Sequence, residues 1–203
     1  IWLPEAHVEA PTVGSVILAG ILLKLGVYGV LRFNLILFPS ASKYFFPLIA
    51  LLTVLGVVNS SIVAIRQTDL KRIIAYSSVA HMNLILLGLF SYSYSGILGS
   101  IVQSLSHGFV SAALFFLIGI LYNRYHSRIL NYYSGLVHTM PLYIYMFFFF
   151  TFANIALPLS SSFVGEFLLL NGIFEVSTIL CVFSCLGIVL CGSYSLWLYN
   201  RLS

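Results

Sequence analysis

Four side chains could exchange protons within surroundings that are otherwise almost wholly apolar: Lys24 in VILAGILLKLGVYGVL, His81 in SSVAHMNLIL, His107 in QSLSHGFVSAALFF and Glu166 in FVGEF. Lys24 lies about twelve residues into an apolar run of about twenty, so a helix there puts its amine near mid-depth of a bilayer. An ammonium at that depth costs about 2.5–3.5 kcal/mol on insertion scales, and the interface is too many turns away for snorkelling. Two readings fit: a proton-exchanging lysine, or half of an interhelical ion pair. Imidazole both donates and accepts near neutral pH, which suits His81 and His107 to a relay. Either could equally be a satisfied helix–helix hydrogen bond. Both have polar neighbours, Ser77 and Ser78 for one, Gln103, Ser104, Ser106 and Ser111 for the other.

Glu166 follows Asn154-Ile-Ala-Leu-Pro158-Leu-Ser-Ser-Ser162 in a segment otherwise apolar from Pro141 to Leu170. Proline removes a backbone donor and clashes with the preceding turn, and the serines compete for backbone groups. The helix is expected to break here, a feature tolerated at depth only against protein or a water-filled cavity. Glu166 then falls about one turn into the second half-helix, where the positive dipole end favours a carboxylate. A hydrated polar axis joining Lys24, the two histidines and Glu166 is the natural expectation, with the order of the histidines open.

Other chemistry is thinly supported. The EAHVE run reads as a loop without an i,i+4 histidine pair, so no metal site is expected. Cys181, Cys185 and Cys191 share one apolar stretch and read as small lipid- or protein-facing residues. Asp69, Lys71 and Arg72 resemble a helix start, with Thr68 or Asp69 as N-cap, and an interfacial anchor. There is no dinucleotide or phosphate loop, no haem motif and no cysteine cluster for iron–sulfur ligation, so no cofactor is expected in this chain.

The elements that must position these residues follow from composition. Of 203 residues 61% are hydrophobic and 7% charged, with a mean hydropathy of +1.06; a soluble domain carries about 25% charged residues. The net charge of +4 comes from basic residues scattered at the ends of apolar runs, not from a face that could bind nucleic acid. The chain reads as all-α, a single polytopic transmembrane helix bundle over residues 1–203. Six spans are expected at about 12–33, 45–65, 70–92, 96–122, 141–172 and 173–199, the fifth broken. Pro39, Pro47, the Tyr-Ser run at 91–95 and the polar stretch Asn123 to His138 fall in the connections. Alternation of the spans puts Arg66, Lys71, Arg72, Arg124, Arg128 and Arg201 on one side and Arg32 and Lys43 on the other. That asymmetry places the first side in the negative compartment.

The segments WLPEAHVEAPTVGSVILAGILLKLGVYGVLRF, QTDLKRIIAYSSVAHMNLILLGL, SHGFVSAALFF, YNRYHSRIL and LPLSSSFVGEF closely resemble the subunit 4 family of mitochondrial NADH dehydrogenase, complex I, over essentially the whole chain. The resemblance implies an antiporter-like fold of about fourteen helices, of which this chain holds the eighth to thirteenth. It implies that Lys24 matches the central lysine of the proton axis, Glu166 the acidic residue of the broken twelfth helix, and His81 and His107 histidines between them. The family's uptake lysine and glutamate lie upstream of Ile1, and the chain stops before the last family helix. Beginning with Ile-Trp-Leu-Pro and not Met, it reads as a fragment, a processed product or one part of a split gene, with a separate chain possible for the missing helices. The function implied is proton translocation in the membrane arm of complex I, in the mitochondrial inner membrane, beside other membrane-arm subunits and lipids. NADH, FMN, iron–sulfur clusters and ubiquinone would bind elsewhere in the complex. The rival readings are a cation/proton antiporter subunit, a hydrogenase membrane arm, or a scaffold that does not pump.

Overall fold

Apolar runs of this length must satisfy their backbone internally, and helices are what form. The computed structural model describes residues 2–203, so residue 1, where the expected domain begins, lies outside it. In order they are α1 (Trp2–Glu9), α2 (Thr12–Leu37), α3 (Pro39–Arg66), α4 (Leu70–Phe90), α5 (Tyr94–Tyr125), α6 (Leu136–Thr139), α7 (Pro141–Asn154), α8 (Ser161–Val176) and α9 (Thr178–Leu202). Five of these, α2, α3, α4, α5 and α9, are each long and apolar enough to cross a membrane. The 14-residue α7 and 16-residue α8 span about 21 and 24 Å at 1.5 Å per residue. Each alone falls short of a ~30 Å hydrocarbon core; together, across the break at 155–160, they have the length for one crossing, the fifth in chain order. This is a multi-pass all-α membrane bundle. Its sixth span starts at Thr178, five residues later than the sequence suggests, because α8 runs on to Val176.

Helices α4 and α5 form the centre and α2, α3 and α9 the flanks, which leave Leu25, Leu52 and Val189 among many exposed apolar side chains. Proline placement differs from expectation. Pro39 starts α3 at a position where its missing N–H costs nothing, but Pro47 lies inside the same helix, not in a connection. Helix α2 is irregular in a way the sequence did not announce: two π-helical segments, Leu18–Leu22 and Val30–Asn34, flank the turn that carries Lys24.

One end of the bundle is stitched together, and there the charged residues behave differently from expectation. The EAHVE run is helical, in α1. Arg128 reaches the Val8 carbonyl at 2.8 Å, and Arg72 pairs with Glu5 at 3.1 Å. The N-terminal segment, the 66–72 connection and the 123–138 connection therefore share this end, as the charge asymmetry requires. Asp69 occupies the N-cap of α4 but makes no capping bond. The first free N–H of the helix, that of Leu70, donates instead to the Arg128 carbonyl at 3.0 Å, leaving the Asp69 carboxylate to Arg72 at 3.5 Å. Lys71 is no interfacial anchor. It is fully buried, and its ammonium donates to the Ala10 carbonyl at 2.8 Å and Ser15 Oγ at 3.3 Å. It thus ties the α1–α2 connection to the start of α4.

Candidate functional site

Lys24 Nζ donates to the Ala19 carbonyl, within the first π segment of its own helix, and lies 3.1 Å from His107 Nδ1 on α5. The π segment offers the amine an acceptor five residues back. The small side of α5 admits it, since a Cβ on Gly108 would stand 3.1 Å from the Gly20 carbonyl oxygen and 3.3 Å from Lys24 Cε. The amine also borders an open groove of about 590 Å³ between α2 and α5, lined by Ile21, Leu25, Leu105 and Phe109 among others.

Beyond His107 the row continues inward. The His107 and His81 rings are 5.2 Å apart between centroids and tilted by 41°. His81 Nδ1 lies 3.2 Å from Glu166 Oε1, and Gln103 Nε2 donates to the same oxygen at 3.2 Å. All four of these side chains are buried. A buried carboxylate needs such partners, because leaving its charge unpaired in a low dielectric is far costlier.

The break that places Glu166 is built from the residues the sequence suggested. Helix α7 ends at Asn154; Ala156 and Leu159 take left-handed φ values of 59° and 82° on either side of Pro158. Ser160 caps α8 by accepting from the Phe163 N–H at 3.3 Å, and Ser162 Oγ donates to the Ala153 carbonyl across the break. Glu166 is the sixth residue of α8, about one and a half turns in. Gly165 lets α8 lie directly on α5: a Cβ there would come within 2.8 Å of the Gln103 backbone nitrogen.

The four expected residues thus form one row, in the order Lys24, His107, His81, Glu166. Its two outer links are direct contacts of 3.1 and 3.2 Å. Two further members were missed. Cys191 Sγ lies 3.5 Å from His81 Nε2 and 2.9 Å from Tyr194 Oη, all buried. Nothing in the spacing of the three cysteines distinguishes Cys191; its partner is 110 residues away. The other two are half-buried on α9. Lys71 was also undervalued, since a lysine two residues into a helix looks like a surface cation. His7 sits close by, buried and stacked on Phe115 at 4.8 Å. Burial, reinforced by the charges of Lys71 and Lys24, pulls its pKa down to about 4. Among the described residues no group of histidine, cysteine, aspartate or glutamate could hold a metal ion.

The sequence profile of the family described as NADH:quinone oxidoreductase/Mrp antiporter, TM, matches residues 1–191. This chain belongs to that family. It is 58% identical over 201 residues to NADH-ubiquinone oxidoreductase chain 4 of Marchantia polymorpha and 57% identical over 201 residues to that of Triticum aestivum, covering 99% of itself and 41% of each relative. Among solved structures, respiratory complex I from Thermus thermophilus with bound NADH contains a chain that superposes with a TM-score of 0.94 at 30% identity, over 99% of this chain and 43% of the other. The chain therefore spans about two fifths of the length of the relatives it matches.

Proposed function

We propose that this chain is a proton-conducting part of the membrane arm of an NADH:ubiquinone oxidoreductase, in the mitochondrial inner membrane, working beside other membrane-arm subunits. The observation that carries the reading is the row from the half-buried Lys24 through the buried His107 and His81 to the buried Glu166, four proton-exchanging groups from four helices in an apolar bundle. A scaffold gains nothing from buried charges that cost several kcal/mol each. In this reading the redox cofactors and quinone bind elsewhere in the complex, and this chain performs no electron transfer.

The mechanism follows from charge pairing. The ammonium of Lys24 donates to a neutral His107 Nδ1, so one proton is held between two bases. When a nearby charge changes, the proton moves onto His107, and transfer along the row ends on the Glu166 carboxylate. Lys24 becomes neutral and Glu166 protonated, with net charge conserved. Moving one charge against 100 mV requires about 2.3 kcal/mol, and an ion pair at 4 Å in an effective dielectric of 20 is worth about 4 kcal/mol. Making or breaking one such pair is a sufficient lever.

The test is Lys24→Ala in the intact complex reconstituted into sealed vesicles, reading protons moved per NADH oxidised. Assembly with strongly reduced coupled pumping is expected. Assembly with full coupled pumping would overturn the reading and favour a scaffold.

A further inference from the structure

Resting on the relay reading above, we propose that Cys191 and Tyr194 are positioning residues that interrupt the relay at His81 until the thiol lets go of the imidazole.

Both nitrogens of His81 are engaged: Nδ1 with Glu166 Oε1 at 3.2 Å and Nε2 with Cys191 Sγ at 3.5 Å. His107 is engaged only through Nδ1, with Lys24. Its Nε2 is buried without a partner. The two rings face a small gap that Gln103, Val110, Asn154 and Ser162 also line, and Gln103 Oε1 is likewise buried without a partner. A proton leaving His107 Nε2 therefore finds no free nitrogen on His81. It can bind Nε2 only once that nitrogen releases Cys191.

A thiol suits this task. Sulfur is a weak donor and a weak acceptor with a rotatable S–H, so it holds the nitrogen without competing strongly for it. Tyr194 Oη, 2.9 Å from Sγ, fixes the sulfur in place. With the tyrosine hydroxyl donating to Sγ and the S–H donating to Nε2, neutral His81 keeps its proton on Nδ1, directed at Glu166. In the transfer step Lys24 gives a proton to His107 Nδ1 as His107 Nε2 gives one to His81 Nε2, and the thiol turns away with its own proton retained. His81 then passes its Nδ1 proton to the Glu166 carboxylate. It is left neutral with the proton on Nε2, which donates to Sγ, so the same contact closes again with its direction reversed.

The experiment compares Cys191→Ser, Cys191→Ala and Tyr194→Phe in the intact complex in sealed vesicles, measuring coupled proton translocation in H₂O and D₂O. Serine, the stronger hydrogen-bond partner, should hold Nε2 and lower the coupled rate about tenfold, with an increased solvent isotope effect. Alanine should leave the rate at or above that of the parent, with no increase in isotope effect, and Tyr194→Phe should follow alanine. A fall in Cys191→Ala equal to that in Cys191→Ser would mean lost packing and would overturn the proposal, as would parental rate and isotope effect in all three variants. Lys24→Ala in the same assay separates the two levels. If it pumps fully, the relay itself fails; if it does not pump while the α9 variants behave like the parent, only the role of Cys191 and Tyr194 fails.

Discussion

Replacing Gly165 with alanine should uncouple Glu166 from its partners without touching any ionisable group. A Cβ there would lie 2.6 Å from Gln103 Oε1, 2.8 Å from the Gln103 nitrogen and 2.9 Å from its Cα. The amide oxygen can swing aside, but the backbone of α5 cannot. Ordinary contact begins near 3.4 Å, so the two helices must part by about 0.6 Å at this level. Carried into the neighbouring Gln103–Glu166 bond, that shift lengthens 3.2 Å to about 3.8 Å, outside hydrogen-bonding range. Overpacking of this kind costs about 1–3 kcal/mol. A displacement of about 1 Å costs on the order of a hundredfold in a positioned reaction, so about a tenfold loss in coupled proton transfer is expected. The assay is proton translocation per assembled complex in sealed vesicles. Gly26→Ala is the control, because nothing lies within 4 Å of a Cβ at that position. A Gly165→Ala complex that assembles in reduced amount yet pumps normally per molecule would refute the positional reasoning, leaving only a folding defect.

Three further outcomes follow from the bundle's end and its break. His7, whose pKa lies near 4 against an ordinary 6.5, stays neutral when folded while the unfolded chain takes up a proton. Its contribution is thus fully present above about pH 6.5 and is lost as pH falls to about 4; thermal unfolding against pH should show this, and His7→Phe should flatten that part of the curve. Lys71→Ala should cost about 3 kcal/mol through a cavity and an unpaired Ala10 carbonyl, with Lys71→Met costing less, and a melting temperature equal to the parent's in both would rule out the tie between α1 and α4. Leu159, fully exposed at φ 82°, should give way to glycine with a gain of about 1 kcal/mol, read as a higher melting temperature of the complex.

Much was settled by composition and spacing alone. An apolar chain with its few charges at the ends of runs must form membrane helices, and the alternation of those charges matches the end at which Arg72, Arg128 and α1 meet. Pro158 and the serines after it announce a break because proline withdraws a donor from any helix, whatever surrounds it. Lys24 and Glu166 stood out for a similar reason: a charge in an apolar run is costly in every fold, so its presence is informative before any fold is known. What the sequence could not supply was which residues meet. The order Lys24, His107, His81, Glu166 depends on how α2, α4, α5 and α8 cross, and crossing is fixed by where small residues such as Gly108 and Gly165 let backbones close. Cys191 and Lys71 escaped notice because each looks ordinary in its own helix. One becomes a partner of His81, and the other a buried cation bound by carbonyl and hydroxyl oxygens, only through contacts 110 and 61 residues distant. Local chemistry marks which groups are expensive to bury; only the packed bundle decides what each is buried against.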